Sequence, residues 1–200
     1  MKALNLANGS TSNKRRELDF YPTPPDVTHA LMRFLHRHGI QERMQVWEPA
    51  CGDGAMAKVI AEYGHDVYAS DIRETGYGDG GIDFLNFRGS EYLRGFNAPE
   101  CDCVITNPPF NLSEQFIRAA IEQAGRTHGT VAMLLKSQYW HAAKRKALFE
   151  EHPPAWVLPL SWRPDFMGGE RGGAPTMEVH WTVWQGGDTN TKYRILGRGV

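Results

Sequence analysis

The sequence predicts one α/β domain built on a mostly parallel sheet. Two observations carry this prediction: strand-like apolar segments alternate along the chain with segments of helical periodicity, and the 200 residues match one ordinary domain. A third observation refines it, because a late segment alternates apolar and polar residues in period two, which is typical of an antiparallel strand. We therefore expect a seven-stranded sheet with helices on both faces and an antiparallel C-terminal strand.

Composition excludes several classes of protein. With 41% hydrophobic and 22% charged residues, the chain is neither disordered nor a coiled coil. No apolar run approaches the roughly 20 residues of a membrane span, and the amino terminus lacks the features of a secretory signal. The three cysteines, Cys51, Cys101 and Cys103, form neither a disulfide framework nor a Cys-x-x-Cys pair. We expect a cytoplasmic protein with no membrane contact and no metal.

The elements follow in chain order from the apolar periodicity and from the glycine, proline and polar residues that interrupt it. A first helix begins at Thr23-Pro24-Pro25-Asp26, where a hydroxyl, prolines and an acid form a start signal, and Gly39 ends it. The predicted strands are Met44 to Glu48, Asp66 to Asp71, Ile82 to Leu85, Cys101 to Asn107, Val131 to Lys136, Trp156 to Trp162 and Thr176 to Gln185. The further helices are Ala55 to Tyr63, Leu112 to Ala124, and one containing Lys144, Arg145 and Lys146.

Two segments fall outside this pattern. Residues 1–18 are polar, carry Lys14-Arg15-Arg16 and lack apolar periodicity, so we expect a flexible basic arm before a single domain over residues 19–200. The stretch from Trp162 to Thr176 is long, glycine-rich and polar, which makes it a candidate active-site loop. Ligands of such sheets bind beyond the carboxyl ends of the strands, so the functional motifs are expected there.

A glycine turn follows the first predicted strand. In Glu48-Pro49-Ala50-Cys51-Gly52-Asp53-Gly54-Ala55-Met56-Ala57, the spacing is that of a nucleotide-binding turn, and Asp71 ends the next strand, where a carboxylate can accept from ribose hydroxyls. A tight turn and a capped strand would fit the same spacing. Because Glu48 places an acid ahead of the glycines, the site suits a cationic sulfonium better than a pyrophosphate, which favours S-adenosylmethionine.

A second motif, Asn107-Pro108-Pro109-Phe110, follows a predicted buried strand. The prolines fix the backbone and leave carbonyls as acceptors, so the Asn107 amide oxygen and the Pro108 carbonyl can both accept from one amino group. Phe110 offers a face on which a flat ring can stack. Holding both hydrogens of an exocyclic amine favours a tetrahedral nitrogen and exposes its lone pair to a methyl donor. An isolated motif of this kind would also fit a rigid turn followed by a core phenylalanine.

Taken in order, three motifs resemble the S-adenosylmethionine-dependent amino-methyltransferases, most closely the DNA adenine-N6 methyltransferases of the small phage and prophage type. They are Asp19-Phe20-Tyr21-Pro22-Thr23-Pro24, the segment Glu48 to Gly54, and Asn107 to Phe110. The resemblance implies a Rossmann-like class I methyltransferase fold, S-adenosylmethionine as cofactor, DNA as partner, and methylation of an adenine flipped out of the duplex. It also implies a bacterial or phage-infected host cell.

The resemblance implies roles for single residues. Tyr21 and Thr23 would border the methionine end of the cofactor, with Glu48, Ala50, Gly52 and Gly54 cradling it. Asp71 would bind the ribose, Ile72 would lie against the adenine ring, and the Asp83-Phe84 pair would contact the same ring. Asn107, Pro108, Pro109 and Phe110 would hold the target amine.

Two departures from the family bear on substrate recognition. Phe110 stands where many adenine enzymes carry tyrosine, which retains stacking without the hydroxyl. The sheet needs most of the residues after Phe110, so we expect no separate target-recognition domain. Loop residues Arg163, Phe166 and Arg171 would then contact phosphate or a splayed base, and Lys136 would contribute to a basic rim with Lys144, Arg145, Lys146, Lys14 to Arg16 and Arg33.

Other functions stay open at this stage. The same fold and motif could methylate a protein glutamine nitrogen or the N6 amine of adenine in RNA. A catalytically inactive nucleic-acid-binding module and a nicotinamide oxidoreductase are weaker alternatives. The oligomeric state and the recognition sequence are not determined by these patterns.

Overall fold

The computed structural model describes residues 22–38, 40, 42–87, 92–93, 96–97, 101–125, 129–167 and 175–199. The expected arm over residues 1–18 lies outside these ranges, as do Tyr21 and Arg171. The helices are α1 (Pro25–Arg37), α2 (Ala55–Glu62), α3 (Ser113–Gly125) and α4 (Lys146–Glu151). The strands are β1 (Gln45–Glu48), β2 (Asp66–Ala69), β3 (Tyr92–Leu93), β4 (Phe96–Asn97), β5 (Cys103–Thr106), β6 (Thr130–Lys136), β7 (Trp156–Pro159), β8 (Val179–Gln185) and β9 (Lys192–Tyr193).

Seven of these strands form one sheet, in the order β2-β1-β5-β6-β8-β7-β9. Strand β8 runs antiparallel to both its neighbours, and the other pairs in the sheet are parallel. The predicted mostly parallel, seven-stranded sheet with one antiparallel strand is confirmed. The antiparallel strand is inserted between β6 and β7, and the two-residue β9, which sequence patterning missed, follows it in the chain.

One predicted strand does not form. Residues 84–86 make a turn, because the Asp83 carboxylate accepts from the Leu85 backbone N–H at 3.0 Å and from the Asn86 amide at 2.6 Å. An aspartate that bonds its own backbone two residues ahead closes a local turn and competes with strand pairing. The apolar Ile82-Asp83-Phe84-Leu85 segment therefore packs against the sheet without joining it.

The two faces of the sheet make two cores. Successive residues of a strand point to opposite faces, so Val46 belongs to one core and Trp47 to the other. Helices α1 and α2 cover the first face, and α3 and α4 cover the second. None of the described helices is long and apolar enough to cross a membrane.

Helix α1 is fixed to the sheet by its first turn. The buried Trp181 indole on β8 donates to the Val27 carbonyl at 3.1 Å. The helix starts at Pro25, within the predicted start signal. No side chain forms a capping hydrogen bond at this end, so Thr23 does not act as the helix cap. Docking α1 in this way brings Thr23, just ahead of the helix, to the carboxyl end of β5.

Candidate active site

The turn after β1 places backbone and acid at the carboxyl edge of the sheet. Gly54 begins α2 with φ +78°, a left-handed conformation that favours glycine, and a Cβ there would overlap the Tyr77 ring. Gly52 donates its N–H to Asp71 Oδ2 at 3.0 Å. The two glycines thus shape the turn and fix Asp71, while Ala50, Cys51 and Asp53 line the adjacent cavity.

Glu48, the last residue of β1, is buried with 2% of its surface exposed. Burial raises the pKa of its carboxyl well above the ordinary range, and a hydrogen bond from the Ala57 backbone only partly offsets this. In the described part of the chain, Oε2 has no hydrogen-bond partner. Glu48 therefore presents an unsatisfied acceptor to the cavity, which a cationic donor would satisfy.

Asn107 follows β5 and is oriented by Thr23. Its Nδ2 donates to Thr23 Oγ1 at 3.0 Å across 84 positions of sequence. Its Oδ1 is buried and has no partner among the described residues. The pair therefore leaves one amide acceptor for a ligand, next to the rigid Pro108-Pro109 backbone that leads to Phe110.

Asp71, two residues after the end of β2, is saturated with hydrogen bonds from this chain. The Arg73 backbone N–H and Nε both donate to Oδ1 at 2.9 Å, and Arg73 Nη2 and the Gly52 N–H both donate to Oδ2 at 3.0 Å. Burial alone would raise the pKa of Asp71, but these bonds outweigh it and hold the pKa below its ordinary value. A carboxylate offers about four acceptor sites, so any ligand that donates to Asp71 would have to replace one of these donors.

Two cavities meet at this edge and share residues. A narrow cavity of about 40 Å³ lies between Thr23, Glu48 and Asn107, and a larger one of about 790 Å³ extends past Asp71 and Phe110. Ala50, Arg73, Pro109 and Phe110 line both. The Arg73 side chain therefore lies where the two cavities join.

The large cavity contains the residues expected at a nucleoside base. Ile72, Asp83 and Phe84 line it, with Ile72 58% exposed and Phe84 in the second core. Asp83 holds its position through the turn described above. The structure thus brings residues from the segment after β2, from the 82–86 segment and from the Asn107 motif around one space.

Several expected site residues lie elsewhere. Phe166, for which a substrate contact is expected from the sequence, is 7% exposed and belongs to the first core. Arg163 is exposed and donates to Glu178 through Nε at 3.1 Å. Lys146 is paired with Glu150, and Arg33 donates to the Gly197 and Arg198 carbonyls. These residues do not line either cavity.

Sequence reasoning missed the role of Arg73 and the contribution of Gln138 and Tyr139 to the large cavity. Arg73 could have been found, because a basic residue two positions after a buried strand-end acid can bond back to it. No pattern marked Gln138 and Tyr139, which lie in a 3₁₀ turn after β6. Among the described residues, no group of three histidine, cysteine or acidic side chains could hold a metal.

Comparison with known proteins shows the fold. No protein family matches the sequence, and no curated protein does. The methyltransferase subunit of a type I restriction-modification system from Streptococcus thermophilus superposes with a TM-score of 0.66 at 13% identity, over 88% of this chain and 47% of that one. A Pyrococcus horikoshii protein described as an RNA methyltransferase gives 0.64 at 17% identity, over 84% of this chain and 87% of that one.

A third protein, from Listeria monocytogenes and described as a class I S-adenosylmethionine-dependent methyltransferase, gives a TM-score of 0.55 at 14% identity, over 88% of this chain and 64% of that one. This chain spans about half the length of the type I subunit. Together these similarities establish that the chain has the Rossmann-like fold of the class I methyltransferases.

Proposed function

We propose that this chain is an S-adenosylmethionine-dependent methyltransferase that acts on the N6 amine of adenine in DNA. The observation that carries the proposal is the Asn107 amide, oriented by Thr23 at 3.0 Å with its oxygen buried and unsatisfied in the described part of the chain. An amide acceptor beside two prolines and an aromatic ring fits a planar ring with an exocyclic amine.

The residues at the carboxyl edge fit the cofactor. Glu48 Oε2, a buried acceptor without a partner among the described residues, suits the ammonium of the methionine moiety. Thr23 and Ala50 border the same narrow cavity, whereas Asp71 would take the ribose hydroxyls and Ile72, Asp83 and Phe84 would surround the adenine ring. When bound, S-adenosylmethionine supplies an electrophilic methyl group on a sulfonium.

The protein's contribution to the transfer is orientation. Asn107 Oδ1 and the Pro108 carbonyl accept the two hydrogens of the target amine, which turns the nitrogen lone pair toward the methyl group. The cofactor would supply the methyl group with its S–C bonding electrons left on sulfur, and the amine nitrogen held by Asn107 and Pro108 would form the new N–C bond and lose one proton to solvent. Phe110 stacks on the target base, which must leave a duplex at a cost of a few kcal/mol.

DNA is favoured as substrate by the resemblance of the Phe20 to Pro24 segment and by the type I restriction-modification methyltransferase subunit among the structures of the same fold. RNA adenine is the second candidate, because the fold neighbour described as an RNA methyltransferase is matched over 87% of its length. We also propose that residues 19–200 form a single domain that carries the methyl-transfer chemistry.

The test is transfer of labelled methyl from S-adenosylmethionine to unmethylated duplex DNA, with single-stranded DNA, RNA and a glutamine-bearing protein in parallel, followed by nucleoside analysis. We expect N6-methyladenine in DNA. Asn107→Ala should lower the rate by at least about 10²-fold, while Asn190→Ala, at an exposed position, should leave it unchanged.

The outcomes separate the alternatives. Label on RNA or on glutamine alone would overturn the substrate and retain the chemistry. Asn107→Ala with full activity would overturn the role of the Asn107 motif. Failure of the wild-type protein to bind S-adenosylhomocysteine would overturn the cofactor.

A further inference from the structure

The large cavity is lined by acids that follow β2 and by cations at and beyond the end of β6, and these two strands lie three positions apart in the sheet order, so the cavity has two chemically different ends. One end carries Asp71 and Asp83, whose carboxylates accept hydrogen bonds from neighbours in their own segments. The other end carries Lys136 and Arg145. The cofactor roles proposed above use the first end and leave the second unexplained.

Both cations are held on aromatic rings. Lys136 Nζ lies 4.0 Å from the centroid of the Phe110 ring, and the Arg145 guanidinium lies 3.8 Å from the centroid of the Tyr139 ring. Arg145 Nη1 also donates to the Tyr139 carbonyl at 2.7 Å. Cation–π contacts and this hydrogen bond position the charges without neutralising them.

Neither cation has a carboxylate partner within the described ranges, whereas seven other basic side chains do. Arg43, Arg73, Arg118, Lys146, Arg163, Lys192 and Arg198 each form an ion pair with an acid. Glu114, whose charge reaches Tyr139, is itself bonded to Arg118. Two positive charges therefore face one cavity without compensation from the described side chains, which is the electrostatic character of an anion site.

A neutral donor lies at the same end. Tyr139 lines the cavity and is 6% exposed, and its hydroxyl is buried without a hydrogen-bond partner among the residues that the structure describes. Burial raises the pKa of Tyr139, so the hydroxyl keeps its proton as a donor. A buried polar group of this kind is satisfied when a ligand supplies an acceptor.

We propose that Lys136, Arg145 and Tyr139 form a phosphate site for the nucleic-acid strand that carries the target adenine. The inference rests on the proposed function, because it is the stacking of the target base on Phe110 that identifies the ligand. Lys136 Nζ lies over one face of the Phe110 ring, so a base stacked on the opposite face would have its own backbone phosphate on the side of the cation. A glutamine side chain has no phosphate, and the site therefore favours a nucleic acid over a protein substrate.

The experiment measures binding of a DNA oligonucleotide with a single adenine at several salt concentrations. We expect Lys136→Gln and Arg145→Gln each to weaken binding about tenfold and to reduce the slope of log affinity against log salt by about one. Lys136→Arg should retain the slope. Lys146→Gln is the matched control, since Lys146 is next in sequence to Arg145 but is exposed and paired with Glu150.

Two further measurements make the result specific. Affinity for S-adenosylhomocysteine should change less than about twofold in each variant, because the cofactor residues lie at the acidic end, and this also shows that the variants fold. If adenosine 5′-monophosphate competes as strongly as the oligonucleotide, the site binds a mononucleotide, and the proposal that it binds a nucleic-acid strand is overturned.

Failure of this inference and failure of the proposed function give different results. If the wild-type protein methylates DNA but both glutamine variants keep its affinity and salt slope, the phosphate site is wrong and the function stands. If the wild-type protein neither binds nor methylates DNA, both are wrong. If the variants lose S-adenosylhomocysteine and keep DNA, the two cations serve the cofactor and the inference is overturned.

Discussion

Arg73→Met should destabilise the protein when no cofactor is bound, and it should increase the rise in stability that cofactor binding produces. The substitution keeps an unbranched side chain of similar length and removes two of the four hydrogen bonds to Asp71, together with the charge that compensates it. If Asp71 takes the ribose hydroxyls as proposed, the cofactor must displace the Arg73 side chain in the wild-type protein. In the variant nothing has to be displaced.

The magnitude follows from the burial of the pair. Removing one member of a buried ion pair costs about 3–5 kcal/mol. The Arg73 side chain is 26% exposed and that of Asp71 only 4%, and Asp71 keeps the two backbone donors, so we expect about 2 kcal/mol. At about 2–4 °C per kcal/mol for a domain of this size, Tm should fall by about 4–8 °C at pH 7.

The pH dependence has a defined sign. The folded-state pKa of Asp71 is lowered, so its stabilisation is present above the ordinary carboxyl pKa of about 4 and is lost as the pH falls through the lowered value. The difference in Tm between the wild-type protein and the variant should therefore be constant near neutrality. It should narrow only in acid.

The assay is thermal unfolding with and without S-adenosylhomocysteine. Arg43→Met is the control, because Arg43 pairs with Asp66 at side-chain exposures of 72% and 51%, and a surface pair of this kind contributes little to stability. An Arg73→Met protein with an unchanged Tm would refute the burial argument. A smaller rise in Tm on adding S-adenosylhomocysteine than in the wild type would show that Arg73 holds the cofactor instead of giving way to it.

Three further predictions concern single contacts. Thr23→Val should lower kcat about tenfold with little change in KM, because Asn107 loses its orienting partner, and Thr23→Ser should keep the wild-type kcat. Steady-state kinetics in which both variants match the wild type would contradict this. Glu48→Gln should raise Tm by a few degrees at pH 8 but not near pH 4, because a carboxyl whose pKa is raised in the folded protein destabilises that protein as the pH rises. The same variant should bind S-adenosylhomocysteine more weakly. A Tm difference between variant and wild type that stays the same from pH 4 to pH 8 would argue that Glu48 is ionised in the folded protein. Trp181→Phe should lower the free energy of unfolding by about 2 kcal/mol in urea titrations, because the Val27 carbonyl loses its buried donor. An unchanged free energy of unfolding would mean that a water molecule replaces the indole as donor.

Local patterning predicted most of the sheet because the physics there is local. The buried strands β1, β5, β6 and β8 are apolar runs or period-two alternations bounded by glycine, proline or polar residues, and each lies within the predicted segment or extends it by one residue. The strand predicted at Ile82 to Leu85 does not form. Its apolar residues do pack against the sheet, but the Asp83 carboxylate accepts from the Leu85 backbone N–H and closes a local turn in place of strand pairing. The two-residue β9 has too few residues to show a period at all.

The sequence by itself determined the fold class and the glycine turn and predicted the amide acceptor of the Asn107 motif, because each depends on residue types at short spacing. Only the tertiary structure decided that Thr23 orients Asn107, that Arg73 saturates Asp71, that Phe166 belongs to the core and that Lys136 and Arg145 share a cavity. The Thr23–Asn107 contact joins residues 84 positions apart, whereas Asp71–Arg73 and Lys136–Arg145 are close in sequence, but all of these relations depend on which side chains the packed sheet brings within hydrogen-bonding or electrostatic range. That is a property of distance in space, which spacing along the chain does not fix.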